Sequence, residues 1–173
     1  MNARFFALLI GVVYLMLGLA GLVPAALVPP PPDAPPTSFA LLYGHLLGLF
    51  PVNVLHSALH LAVGFWGLCA WSRKCSAVAY ARALALAFAV LALLGVLPGA
   101  DALLGAMPVY GHDVWLHAAT AALGAYFGWR PSAVVRNRRR NAGERRQREM
   151  AVARERRLGL ADRRAEWSGM SAA

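Results

Sequence analysis

Four long apolar runs organise the first three quarters of the chain. Phe5–Val23 is 19 residues without a charge or a proline. Asn53–Trp71, Ala77–Leu97 and Asp113–Trp129 are similarly apolar. His56 and His60 interrupt the second run, Arg82 the third, and Asp113 and His117 the fourth. As a helix, about 20 apolar residues cross a hydrocarbon core roughly 30 Å thick. The pattern therefore predicts an all-α fold, a four-helix transmembrane bundle over residues 1–129, followed by a polar tail over 130–173. A cleaved signal peptide is the rival reading of the first run, with Arg4 as its basic flank and Pro24-Ala25-Ala26 as its cleavage site. The run exceeds the roughly 7–15 apolar residues such peptides carry.

The connections differ in character. Residues 24–38 hold seven of the eleven prolines, which predicts a stiff, extended linker outside the membrane. Phe39–Phe50 is apolar but too short to span, so an interfacial or re-entrant helix is expected there. Pro51 ends it, and Asn53 is placed to N-cap the next helix. Ser72-Arg73-Lys74-Cys75-Ser76 forms a short basic turn, and residues 98–112 a second Pro/Gly-bearing loop.

Charge adds the orientation. The chain carries a formal charge of +9, yet only 14% of its residues are charged. Residues 5–129 hold three cations (Arg73, Lys74, Arg82) and three acids (Asp33, Asp101, Asp113), whereas residues 130–173 hold thirteen arginines against five acids. A soluble domain has about a quarter of its residues charged, so an ordinary soluble enzyme is excluded. With four spans, the N-terminus, the 72–76 turn and the tail share one side and all seventeen Lys and Arg residues. The positive-inside rule makes that side cytoplasmic, a multi-pass plasma-membrane protein with both termini inside. Cys69 and Cys75 then face a reducing compartment, where a disulfide is not expected.

The apolar region also repeats. Leu46–Cys69 and Leu103–Tyr126 align without a gap at an offset of 57, with nine of 24 positions identical, including a shared Leu-Leu-Gly-x-x-Pro-Val and the pair His60/His117. Gly-Leu-Val-Pro at 21–24 is echoed by Gly-Val-Leu-Pro at 95–98. The bundle is therefore expected to consist of two related hairpins of one orientation, with a pseudo-twofold along the membrane normal.

The segment Leu47-Gly48-Leu49-Phe50-Pro51-Val52-Asn53-x-x-His56-x-x-x-His60-Leu61-x-x-Gly64, with Arg82 and Asp113-x-Trp115-Leu116-His117, resembles a bacterial four-span membrane family known as domain of unknown function 4383. The resemblance covers roughly residues 3–129 and leaves out the Pro-rich loop and the tail. The second-half motif is degraded to Met107-Pro108-Val109-Tyr110. What it implies is a fold and a membrane location, with no activity attached.

His56 and His60 are four residues apart and share a helix face, as do Asp113 and His117. The repeat matches His56 with Asp113 and His60 with His117, so the four side chains are candidates to meet near the axis. Ionisable groups at that depth are functional candidates by default. Three functional readings are open. The four residues are a transition-metal site; or His60 and His117 ligate a haem iron; or the cluster relays protons in a small transporter. The plainer reading is that they hydrogen-bond the hairpins together. His45 and His112 are expected to be interface residues.

The tail is rich in Arg, Ala and Glu without a continuous apolar stripe, which predicts a solvated helix. Arg136, Arg138, Arg139 and Arg140, directly after a span, are expected to contact anionic lipid headgroups. No aromatic interleaving supports nucleic-acid binding. Small-residue pairs such as Gly124/Gly128 permit close helix packing or self-association. No nucleotide loop or nucleophile–base pair is present. The expectation is a non-enzymatic membrane protein with a structural or interacting role and no cofactor. The alternative is a transporter, proton relay, or metal- or haem-binding protein using His56, His60, Asp113 and His117.

Overall fold

A computed structural model describes residues 2–100, 102–130 and 133–170. Asp101 and the side chains of Arg136, Arg138, Arg139 and Arg140 lie outside the described residues. The chain divides into two compact units, Met1–Arg130 and Pro131–Ala173. The second contains one helix, α5 (Ala133–Met170), whose residues 141–159 are exposed all round.

The first unit is built from α1 (Ala3–Ala20), α2 (Val54–Trp71), α3 (Ala77–Val96) and α4 (His112–Trp129). Side chains cap three of the four. Asn2, Asn53 and Ser76 accept hydrogen bonds from the amides of Phe5, His56 and Ala79, occupying donors that a helix start leaves free. Among the described residues, three helices, α1, α2 and α3, are long and apolar enough to cross a membrane. α4 matches α1 and α2 in length but carries His112, Asp113 and His117.

The segment 39–50 departs from the expected helix. A three-stranded antiparallel sheet is formed by β1 (Leu27–Val28), β2 (Gly44–Leu46) and β3 (Phe50–Val52), with Leu27 opposite Leu46 and Gly44 opposite Val52. The physical reason is the backbone at Leu42, Leu47 and Gly48, whose φ values of 56°, 53° and 74° lie in the left-handed region and interrupt any right-handed helix. The tight turn at 47–49 is closed by Gly48 N–H to the His45 carbonyl and Leu49 N–H to the Leu46 carbonyl, and Leu47 N–H ties it to the Ala26 carbonyl. The Pro-rich linker is pinned in place as well. It supplies β1, and the Ser38 amide donates to the Gly105 carbonyl at 2.6 Å.

α1 packs mainly on α2, and α3 on α4. Both pairings use glycine for close approach. A Cβ on Gly67 would lie 2.6 Å from Gly11 Cα and 2.7 Å from the Ala7 carbonyl oxygen. A Cβ on Gly124 would lie 2.7 Å from the Ala81 carbonyl oxygen and 2.9 Å from the Ala85 amide nitrogen. Gly67 and Gly124 are 57 residues apart; Ala7 and Gly11 are 74 residues from Ala81 and Ala85, the spacing of Gly21 to Gly95. Related features recur at both ends of the helices, with Trp71 and Gly128 57 residues apart but Arg82 78 residues after Arg4, four beyond the offset of 74. Arg4 donates to the Trp71 carbonyl at 2.7 and 3.1 Å, and Arg82 to the Gly128 carbonyl at 2.9 Å. Each arginine, on the first helix of a pair, satisfies a free carbonyl at the C-terminus of the second. Arg82 also lies over the Trp129 ring. At the opposite end, left-handed backbone recurs at Leu42 and Gly99, Leu47 and Leu104, and Gly48 and Gly105, each pair 57 apart.

Candidate functional site

The four ionisable side chains singled out from the sequence come together in the centre of the first unit. His56, His60, Asp113 and His117 are buried, with 2%, 4%, 0% and 1% of their surface exposed. One potential ligand atom from each lies within 4.8 Å of every other. His56 Nε2 is 3.1 Å from His60 Nε2. Asp113 Oδ2 is 3.6 Å from His56 Nε2 and 3.4 Å from His117 Nε2. His45 and His112 stay outside the cluster. His112 is exposed at the start of α4, and His45, half-buried on β2, is 3.4 Å from the Tyr110 hydroxyl. Partial burial lowers the pKa of His45, so its ring is neutral at neutral pH.

Two aromatic rings fix the imidazoles. Tyr14 on α1 meets His60 edge-on at 4.9 Å, and Phe88 on α3 meets His117 at the same centroid distance. Tyr14 and Phe88 touch each other at 5.1 Å. Tyr14 and Phe88 are 74 residues apart, and His60 and His117 are 57 apart, so this contact too occurs once in each helix pair. The Tyr14 hydroxyl reaches Thr120 Oγ1 on α4 at 2.9 Å, a buried hydrogen bond from one helix pair to the other.

Asn53 joins the site to the loops around it. Its Oδ1 accepts from the His56 amide, the cap expected from the sequence. Its Nδ2 also donates to the carbonyls of Phe39 and Ala106, which tie the two long loops to the start of α2. Those two bonds, and the roles of Tyr14, Phe88 and Thr120, were not evident from the sequence. The echo of Gly21–Pro24 in Gly95–Pro98 was the signal available for Tyr14 and Phe88, since it pairs them.

The polar atoms of the cluster are poorly satisfied. Among the described residues, Nδ1 of His60 and His117, Nε2 of His117 and both carboxylate oxygens of Asp113 have no hydrogen-bond partner. The Pro108 backbone is close enough to interact with the His56 ring. A buried carboxylate without donors costs several kcal/mol unless a cation or a proton compensates it. Three imidazoles and one carboxylate form an ordinary donor set for Zn2+ and similar ions.

The family model described as a domain of unknown function, DUF4383, matches residues 4–130. No curated protein and no solved structure matches the chain.

Proposed function

Because the chain belongs to the DUF4383 family, which is defined without an activity, we propose its function from the geometry of the site. It is a four-span integral membrane protein whose two hairpins are clipped together by a transition-metal ion of the Zn2+ class, held by His56, His60, Asp113 and His117. The observation that carries this reading is the spacing of the donor atoms. Zn–N and Zn–O bonds of about 2.0–2.2 Å in a tetrahedron separate neighbouring ligand atoms by roughly 3.3–3.6 Å. Three of the six separations here are 3.1, 3.4 and 3.6 Å, and all six lie within 4.8 Å, so a bound ion would draw the more distant donors inward.

Hydrogen bonding alone fits less well. Charge-assisted N–H···O bonds are about 2.7–2.9 Å long, and Asp113 stands further from both imidazoles than that. The only hydrogen bond among the four side chains joins His56 to His60 on the same helix, so it cannot clip α2 to α4. Four protein ligands close a tetrahedral site and leave no position for substrate, which supports a structural rather than a catalytic ion. Haem is disfavoured because the clustered donors, wedged between Tyr14 and Phe88, leave no plane for a macrocycle. A proton relay would have to continue towards the 72–76 turn, where the core is made by Phe6, Ala7, Ala70, Ala81, Phe127 and Tyr80, whose hydroxyl is engaged with the Val63 carbonyl.

α4 is the fourth span in this reading. Its polar residues Asp113, His117 and Thr120 face inward, while Trp115, Leu123, Tyr126 and Trp129 are exposed, a surface suited to lipid with aromatic residues at its ends. The two helix pairs are copies of one hairpin, supported by the contacts that recur at offsets of 57 and 74. Both termini and the 72–76 turn are cytoplasmic, and the arginine-rich α5 lies against anionic headgroups of the plasma membrane.

The test is elemental analysis of purified protein by inductively coupled plasma mass spectrometry. One Zn, Fe, Cu, Ni or Mn ion per chain is expected, lost in Asp113→Asn and in His117→Ala. Protein that stays metal-free after equilibration with Zn2+ would sink the metal reading. Reporter fusions that place the 72–76 turn outside the cell would overturn the topology.

A further inference from the structure

At the end of the bundle opposite the 72–76 turn, each of the two long loops carries a turn of the same strained shape. Leu47 and Leu104, 57 residues apart, have φ values of 53° and 58°, and the glycines after them, Gly48 and Gly105, have 74° and 82°. Glycine adopts left-handed backbone freely, whereas leucine is held there only where its surroundings enforce it. Hydrogen bonds enforce both turns. The Leu47 amide donates to the Ala26 carbonyl and the Gly48 amide to the His45 carbonyl. The Leu103 amide donates to the Ala100 carbonyl, and the Gly105 carbonyl accepts from the Ser38 amide. The result is the same in both copies, a leucine side chain directed away from the protein. Leu47 is 71% exposed and Leu104 99%, whereas Leu46 beside Leu47 is buried. Strain kept twice to expose an apolar side chain has no use in water, where leucine gains nothing by exposure.

We propose that Leu47 and Leu104 are lipid anchors, one for each helix pair, whose side chains insert among the acyl chains at the edge of the outer leaflet. The proposal rests on the four-span reading above, and three observations select acyl chains as the partner. The first is depth. α1, α2 and α4 have 18 residues each, about 27 Å at 1.5 Å per residue, against a hydrocarbon core roughly 30 Å thick. Trp71 and Trp129, exposed at the C-terminal ends of α2 and α4, suit the inner interface. Measured from there the helices stop short of the outer interface, so the turns beyond them fall at the edge of the hydrocarbon. The second is continuity with the apolar flanks of the helices. Leu19 and Val23 at the end of α1 are exposed, as are Val96 and Leu97 at the end of α3. The two turns are tied to Ala26 and Ala100, just past those helix ends. The third is charge. Residues 39–50 and 102–110 contain no Asp, Glu, Lys or Arg. Insertion therefore carries no charge into lipid, and no cation is present to bind a phosphate headgroup instead.

The experiment uses the full wild-type chain in phosphatidylcholine nanodiscs, with a diazirine near the top of one acyl chain of the lipid. After irradiation, peptide mass spectrometry should find lipid adducts at 47–49 and at 103–105, and also at Val90 and Leu93, which are exposed on α3. Adducts on α3 with none on the turns would overturn the anchors and leave the four spans standing. Adducts on neither would sink both readings. Leu104→Asp should lose the adducts at 103–105 and keep those at 47–49; adducts that persist on the aspartate variant would count against insertion. A second measurement reads depth in a Cys69→Ser/Cys75→Ser background. A nitrobenzoxadiazole dye on Leu47→Cys or Leu104→Cys should be quenched several-fold more by lipid with a nitroxide high on its acyl chain than by aqueous iodide. The same dye on Asp33→Cys, exposed in the Pro-rich linker, should show the reverse. A dye on either turn that behaves like the one at 33, or that is shielded from both quenchers as a second copy of the chain would shield it, overturns the proposal.

Discussion

Replacing Gly67 by alanine adds one methyl group where two helix backbones touch. The new Cβ would stand 2.6 Å from Gly11 Cα, 2.7 Å from the Ala7 carbonyl oxygen and 2.8 Å from the Tyr80 hydroxyl. Carbon atoms pack at about 3.5–4.0 Å, so α1 must retreat by about 1 Å. Two of the three obstacles are backbone and cannot rotate away, which places the overpacking cost near the upper end of about 1–3 kcal/mol. Alanine regains about 1 kcal/mol through its helix propensity. Packing wins, and the net loss is about 2 kcal/mol, by difference of these two terms. For a chain of this size that lowers Tm by about 4–8 °C. Gly124→Ala, which meets Ala81 and Ala85 in the same way, should lose a similar amount. Gly143 on α5 has nothing within 4 Å of its would-be Cβ, so Gly143→Ala should leave the melting of the first unit unchanged. The assay is thermal unfolding of detergent-solubilised protein followed by circular dichroism. A Gly67→Ala protein that melts at or above the wild-type temperature refutes the close-approach argument.

Further outcomes follow from the same structure. Tyr14→Phe removes the buried bond to Thr120 and should cost about 0.6–1.7 kcal/mol, the range measured between membrane helices; Thr120→Ala should add little to it in a double-mutant cycle, and full additivity would deny the bond. Asn53→Ala should cost about 3 kcal/mol, one for the lost cap and the rest for the orphaned loop carbonyls. Asn53→Asp keeps the cap and should retain only that part; equal melting of the two variants would contradict the division. Arg82→Gln, measured by denaturant titration, should destabilise by about 1 kcal/mol, since a carbonyl at the end of α4 loses its donor. Imidazole must be neutral to hold a metal, so acidification of the loaded protein should release the ion and lower its melting temperature together. A melting temperature that is insensitive to chelator at neutral pH would contradict the clip.

Hydropathy located the helices to within about three residues because an apolar helix face needs no tertiary partner to declare itself. α1 begins two residues before the apolar run and ends three before its end, and α2, α3 and α4 begin or end within one residue of theirs. The segment 39–50 departs from the expected helix for a definite reason. Twelve apolar residues suit a short helix or a buried hairpin equally, and only the left-handed backbone at Leu42 and Leu47 separates them. Leucine gives no warning of such a conformation, in contrast to Gly48 beside it. The candidate site was more legible. The four-residue spacing put His56 with His60 and Asp113 with His117, and the offset of 57 suggested that the two pairs meet.

By itself the sequence determined the position and extent of α1 to α4, the concentration of cations in the turn and the tail, and the residues able to form a polar centre. These are properties of local spacing and composition, which act before the chain is folded. Distance was left to the tertiary structure. Glycine sets how closely the helices approach within each pair, and with it the edge-on contacts of Tyr14 and Phe88; the separation of Asp113 from His56 and the triple role of Asn53 depend on how the two pairs and the long loops come together. Differences of a few tenths of an ångström distinguish a hydrogen-bonded cluster from a metal site, and no spacing along a sequence encodes them.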